Sequence, residues 1–477
     1  MVSSVRKNFA YNFAYQVLIL ALPFVTVPYV SRVLGVGGVG VYSYTYSVVY
    51  YFMICALLGI NNHGSRMIAK SRSDKARLSK TFWSIYVIQL AMSIIMLILY
   101  GGYILLFSPS YLSVVVVQTL YIVSAMFDIN WFFFGLEEFK ITVTRNAIIK
   151  LLTVSAVFLF VKTSDDIWLY TLIMAGGTLA SQLVLWPFMR NRVDRPCLKN
   201  LNVKRHLKPC LVLFVPVMAV SLYKVMDKIM LGLMSGVTEV GYYEQAEKMV
   251  NIPLALITAL GTVMMPRISF LMEKGDKKAV LDYVEKSIRL MMFMAFPICF
   301  GLIIMAGSFV PIFMGQEFAK SALLVELLSV TIIFISFANV IRTQYLIPKE
   351  RDKDFIWSII AGAVVNLVAN LLLIPRLTSV GACIGTILAE FAVTVYQIIA
   401  VRKDLNIKRY FGDSVVFLVK GFIMFGAMYA IEFLGLSNMQ KLLVQAAVGA
   451  VAYIVMNYTY ISGLINIKIG NVLRRKI

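Results

Sequence analysis

The segment SLYKVMDKIML (residues 221–231) sets three ionisable side chains, Lys224, Asp227 and Lys228, in an otherwise apolar run. Lys224 and Lys228 are four apart and share one helix face, with Asp227 on its flank. Two ammonium groups so placed offer net positive charge to an anionic group. The same spacing lets Asp227 neutralise one lysine and lock its helix to a neighbour. Downstream, YYEQAEK (residues 242–248) places Glu244 and Lys248 at i,i+4, where they either satisfy one another or take part in gating and binding. Asp128, just before the aromatic run at 131–134, suits coupling to an ion or proton, or pairing with Arg66 or Arg145 as a gate. Lys150 lies too deep in an apolar run to reach water easily. Arg32, beside Ser31 at the end of another, contacts phosphate or snorkels to the interface. Tyr42, Tyr44 and Tyr46 stack on sugars or form part of an interfacial aromatic belt.

The elements that hold these residues follow from composition. Of 477 residues 60% are hydrophobic and only 14% charged, where soluble domains carry roughly 25% charged residues. Apolar stretches of about 20 residues recur, each long enough to cross roughly 30 Å of hydrocarbon. An all-α, polytopic membrane protein is expected, because only helices satisfy their own backbone groups in single segments of that length. Fourteen spans are read at about 9–33, 40–62, 81–107, 112–135, 143–161, 167–189, 210–234, 241–265, 281–306, 321–345, 355–375, 380–401, 414–435 and 441–462. The first run is too long for a cleavable signal peptide and is read as span 1. An ionisable residue inside a span costs at least about 2.5 kcal/mol on insertion scales, so those named above are expected to face partners or a wet cavity.

The net charge of +21 is a topology signal. Connectors after even-numbered spans are basic, such as HGSRMIAKSRSDKARLSK (residues 63–80) and RNRVDRPCLKNLNVKRHLK (190–208). Those after odd-numbered spans, such as FSPSY (107–111), hold one basic residue or none. The positive-inside rule then puts both termini in the cytoplasm, and no nucleic-acid partner is expected. Five scattered cysteines and two histidines, His63 and His206, suggest neither a disulfide framework nor a metal site.

SRVLGVGGVGVY (31–42) returns as KIMLGLMSGVTEVGYY (228–243). Aligning LG at 34–35 with LG at 231–232, and VG at 39–40 with VG at 240–241, matches spans 1 and 2 to spans 7 and 8 with a four-residue insertion in the turn. Six spans separate the copies, so both enter the membrane in the same sense. A parallel repeat about an axis along the membrane normal is expected: two six-helix lobes, with spans 13 and 14 appended. The lobes are read as 1–190 and 210–402, joined by a basic linker at 191–209, with 403–477 as the appended pair and tail.

Four stretches carry a family resemblance: PYVSRVLGVGGVGVYSYTYSVVYYF (28–52), LLGINNHGSRMIA (57–69), FDINWFFFGLEEFKITVTRN (127–146) and VGYYEQAEKMV (240–250). The chain resembles the polysaccharide biosynthesis and O-antigen repeat-unit flippases of the multidrug, oligosaccharidyl-lipid and polysaccharide exporter superfamily. The resemblance implies a multi-pass bacterial plasma-membrane protein that turns undecaprenyl-pyrophosphate-linked oligosaccharide from the inner to the outer leaflet by alternating access. Its partners would be membrane lipids, the lipid-linked oligosaccharide, and the polymerase and glycosyltransferases of the same route. No cofactor is implied, and a proton or sodium gradient or the membrane potential would drive it. A peptidoglycan-precursor flippase and a drug/cation antiporter of the superfamily remain open. A membrane glycosyltransferase or polymerase is disfavoured, because no connector expected outside is long and Glu137-Glu138 is the nearest acidic pair at a membrane surface. VGVGGVG follows no strand, so it is no phosphate loop.

Overall fold

The computed structural model describes residues 2–107, 110–195 and 201–463, leaving aside the side chains of 2–20, 223, 224, 260, 262 and 263. Among the described residues every regular element is helical, and thirteen helices are long and apolar enough to cross a membrane. The expected fourteen spans differ from this count at one place. Spans 1 and 2 follow one another with no connector: α1 (Val2–Leu57) is two helices meeting at a kink at Gly35, where φ is 65° and ψ −179°. That backbone conformation is essentially restricted to glycine, so the first helix ends there and the second leaves at a corner.

By packing, the chain divides into two compact units, Met1–Glu244 and Gln245–Ile477. The first holds α1, α2 (Ile60–Ser71), α3 (Lys75–Phe107), α4 (Leu112–Met126), α5 (Asn130–Gly135), α6 (Phe139–Phe160), α7 (Ile167–Leu183), α8 (Trp186–Met189), α9 (Val203–Ser235) and the first turns of α10 (Val237–Glu273). One core lies where α1, α3, α4 and α7 meet, around Val49, Tyr100, Ile122 and Ala175. A second joins α2, α3 and α5 through Ile68, Phe82, Trp131, Phe132 and Phe133. The aromatic run is therefore mostly packing: Trp131, Phe132 and Phe133 are fully buried, and Trp131 Nε1 donates to Gln89 Oε1 at 3.0 Å. The acidic pair beside it is tied down, Glu137 to Arg72 at 2.9 Å and Glu138 to Arg192 at 2.8 Å. Packing groups α9 with the helices before it, although the repeat assigns it to the second half.

The second unit continues α10 and holds α11 (Lys277–Met314), α12 (Ala319–Ser329), α13 (Thr331–Ile341), α14 (Asp352–Leu377), α15 (Ser379–Val401), α16 (Ile407–Ala430) and α17 (Asn438–Met456). α14 and α15 pack along their length as a hairpin. α16 and α17 pack on each other and on α11, fastened by Arg289 to Asp413 at 2.8 Å and by Tyr453 Oη donating to Phe293 O at 2.9 Å.

Candidate functional site

α9 carries Asp227 and Lys228 into the interior of the first unit, against the second half of α1 and the start of α10. Lys228 Nζ lies 2.6 Å from Glu244 Oε2, with the two side chains 15% and 13% exposed. Ser43 Oγ donates to the same carboxylate oxygen at 2.7 Å. Beside them Tyr243 Oη donates to Asp227 Oδ2 at 2.9 Å, and both residues are buried. Tyr46 stands close enough to feel the charges of Lys228 and Glu244. The site is thus an alternating set of cation, carboxylates and hydroxyls from three helices. Glu244 reaches across to Lys228, a partner that its i,i+4 spacing with Lys248 did not suggest; Lys248 is half-buried further along α10.

Two glycine corners position this set. Gly236, between α9 and α10, has φ 91° and ψ 163°, the counterpart of Gly35 inside α1. A single offset carries Gly35 onto Gly236 and Gly40 onto Gly241, five residues on in each case. The turn therefore has no insertion, and the expected match of LG at 34–35 to LG at 231–232 is corrected by one helical turn. Gly232 is small for another reason: a methyl added to it would run into the ring of Tyr44. The two corners also touch reciprocally. A methyl on Gly40 would overlap Val237 O, and one on Gly241 would overlap Val36 O. The contact thus pairs each glycine with the residue one offset away from its counterpart's partner. The same offset carries Ser43 onto Glu244, which are bonded to each other.

The other expected residues fall in different places. The Lys224 side chain lies outside the described residues. Lys150, on α6, and Arg32, on α1, are exposed. Tyr42 belongs to an aromatic cluster, with its hydroxyl 2.7 Å from that of Tyr121 and its ring edge-on to Tyr170. Tyr46 stacks on Tyr42 and meets Tyr121 edge-on. These rings pack on one another before they are offered to any sugar. Asp128 is buried and does not meet Arg66, which is exposed on α2 beside His63. It meets Arg145 through Asn130, which donates to Asp128 Oδ1 from its amide at 2.7 Å and accepts from Arg145 Nη2 at 2.9 Å. Arg145 also donates to Ser181 O at 2.7 Å, so α5, α6 and α7 are joined around one buried guanidinium. Sequence spacing missed Ser43, Tyr243 and Asn130, whose hydroxyl or amide carries no charge to mark it in an apolar run. Among the described residues no group of three or more His, Cys, Asp or Glu could hold a metal ion.

Helices of this number and arrangement give the fold seen in solved flippase and multidrug-transporter structures. Residues 5–272, more than half of the chain, match the family described as polysaccharide biosynthesis protein, and the chain belongs to that family. It is 24% identical over 406 residues to a protein named for O-antigen transport in Escherichia coli (strain K12), covering 84% of this chain and 97% of that one. It is 28% identical over 189 residues to the lipid II flippase MurJ of Bacillus subtilis (strain 168), covering 39% of this chain and 33% of that protein. Among solved structures, a lipid II flippase MurJ in an inward closed conformation superposes with a TM-score of 0.78 at 15% identity, over 96% of this chain and 99% of that one. An inward-facing multidrug transporter of the superfamily gives 0.57 at 12% identity, over 80% and 98%.

Proposed function

We propose that this chain is a flippase for polyprenyl-diphosphate-linked glycans, working by alternating access between two halves related by a two-fold along the membrane normal. The observation that carries the reading is the ion pair Lys228–Glu244, set in a chain of this family and fold. A lysine alone inside a span is costly, and Glu244 compensates it while no cargo is bound. A diphosphate brings charge of the same sign as the carboxylate and takes its place on Lys228, with Lys224 and Lys150 as further cations. The reciprocal contact at Gly40 and Gly241 is then the closed gate at the end opposite the basic connectors, and displacement of Glu244, which Ser43 of α1 also holds, loosens that end. Asp128, Asn130 and Arg145 act as a second fastening within the first half.

Two cargoes are favoured by different observations. The fold superposes over 96% of its length on a lipid II flippase, which supports a peptidoglycan precursor. The full-length relatives named for O-antigen transport, together with the family, support a repeat unit without peptide. Proteoliposomes holding either undecaprenyl-diphosphate-linked muropeptide or undecaprenyl-diphosphate-linked oligosaccharide in the inner leaflet decide between them. The glycan that reaches the outer leaflet faster with wild-type protein than with Lys228→Ala is the cargo, and no acceleration of either by the wild type would overturn the flippase reading.

A further inference from the structure

The chain has only two histidines, and they are bonded to each other: His63 Nε2 lies 2.9 Å from His206 Nδ1, in side chains that are both buried. His63 is on α2, the short helix that follows α1. His206 is in the first turns of α9, ahead of the apolar stretch and on the same helix as Lys228. Both fall in the basic connectors, outside the expected spans. We propose that this imidazole pair is a proton-sensitive latch, which holds the head of α9 against α2 and is released as the two rings take up protons.

The rest of the head is docked by close contact. A methyl at Gly59 would stand 2.8 Å from both Cys210 O and Phe214 N, so the α9 backbone rests on the start of α2. The amide of Asn202 donates to Ser84 Oγ on α3 at 3.1 Å. Among these contacts only the histidine bond responds to pH. Two neutral rings share it with one donating and the other accepting, and two protonated rings cannot form it at all. The charged groups that act on the pair are Arg66, one turn along α2, and Arg205, beside His206 on α9. Both are positive. From α1, α3 and α5, which pack against these helices, no carboxylate among the described residues acts on either ring. Cys210 is buried one turn further along α9.

Burial and the two arginines therefore both oppose protons on the latched pair, while rings released to water recover the ordinary histidine pKa of about 6.5. The released state binds more protons, so latching is complete above that value and weakens below it, by up to about tenfold per ring for each pH unit. Pro209 and Pro216 interrupt the hydrogen-bond ladder of α9 just past the latch, giving the head a place to bend. In the transport reading above, on which this consequence rests, acid on the basic side frees the helix that carries Lys228.

The latch can be read without any cargo. Spin labels on Lys70→Cys and Lys204→Cys, both exposed positions, report the α2–α9 distance in the full-length protein in lipid nanodiscs. One short distance is expected at pH 8, with a longer population growing at least tenfold by pH 5.5. In His63→Gln/His206→Gln, whose amides keep a hydrogen bond without titrating, the pH response should vanish. An unchanged distance distribution between pH 8 and 5.5 in the protein with both histidines overturns the latch, whether or not the glutamine variant folds, and so does an undiminished response in that variant. Because no glycan is present, a failed flippase assay leaves this result intact. A failed latch, in turn, leaves the dependence of flipping on Lys228 untouched.

Discussion

Removing one half of a mostly buried ion pair strands the other in a medium that solvates it poorly, at a cost of roughly 3–5 kcal/mol. Lys228→Ala takes the 2.6 Å cation away from Glu244, and is expected to lower the thermal midpoint of the detergent-solubilised protein by several degrees. Lys228→Ala/Glu244→Ala removes both charges and should recover most of that loss. If Lys228 holds the diphosphate, the double variant regains stability but not flipping. Wild-type flipping by the stable double variant would reduce the pair to a structural lock. Lys224 and Lys150 are tested by replacement with arginine and glutamine: recovery by arginine alone indicates charge, whereas equal recovery by glutamine indicates hydrogen bonding or packing. The ionisable residues themselves stood out in the sequence because insertion penalises them. Their partners did not, because Lys228 finds Glu244 sixteen positions along the chain and across two helices, a pairing that no single-helix spacing encodes. Asp128 illustrates the same gap, since Asn130 stands between it and Arg145.

At the level of elements, the two glycine corners make a claim that can be broken with one carbon atom. Gly40 and Gly241 allow the backbones of α1 and α10 to touch, and a methyl at either overlaps a carbonyl oxygen of the other corner. Backbone cannot swing aside like a side chain, so the corners must separate, at about 1–3 kcal/mol for overpacking. Gly40→Ala and Gly241→Ala should each favour the state open at that end. The readout is a maleimide on Ser43→Cys, which should react several-fold faster in either background. An unchanged rate would mean that the contact does not gate access. The two similar junctions were legible from the sequence, but which of their glycines correspond was not. Glycines at 35, 232 and 236 look alike on paper, yet Gly35 and Gly236 adopt a glycine-only backbone conformation while Gly232 makes room for the Tyr44 ring. Separating a conformational glycine from a packing glycine requires knowing what lies beside each.

For the whole molecule, a succession of long apolar helices could be read from apolar length alone, because the bilayer imposes that length on every crossing. The sharp corner at Gly35 and the packing of α9 with the first unit could not, since neither changes the apolar content of a segment. Orientation rests on charge. The basic connectors, 63–80 and 190–208 among them, follow even-numbered spans, and translocating clustered lysines and arginines is disfavoured. Ser164, in the short helical turn between α6 and α7, follows an odd-numbered span and belongs on the opposite face. In a variant lacking native cysteines, a membrane-impermeant thiol reagent applied to intact cells should therefore modify Ser164→Cys and leave Asn200→Cys unmodified until the membrane is permeabilised. The expected span at 167–189 alone separates the two positions, so they should differ. Labelling of both from outside would remove a crossing between them, and the reversed pattern would invert the protein and move the histidine latch to the outer face.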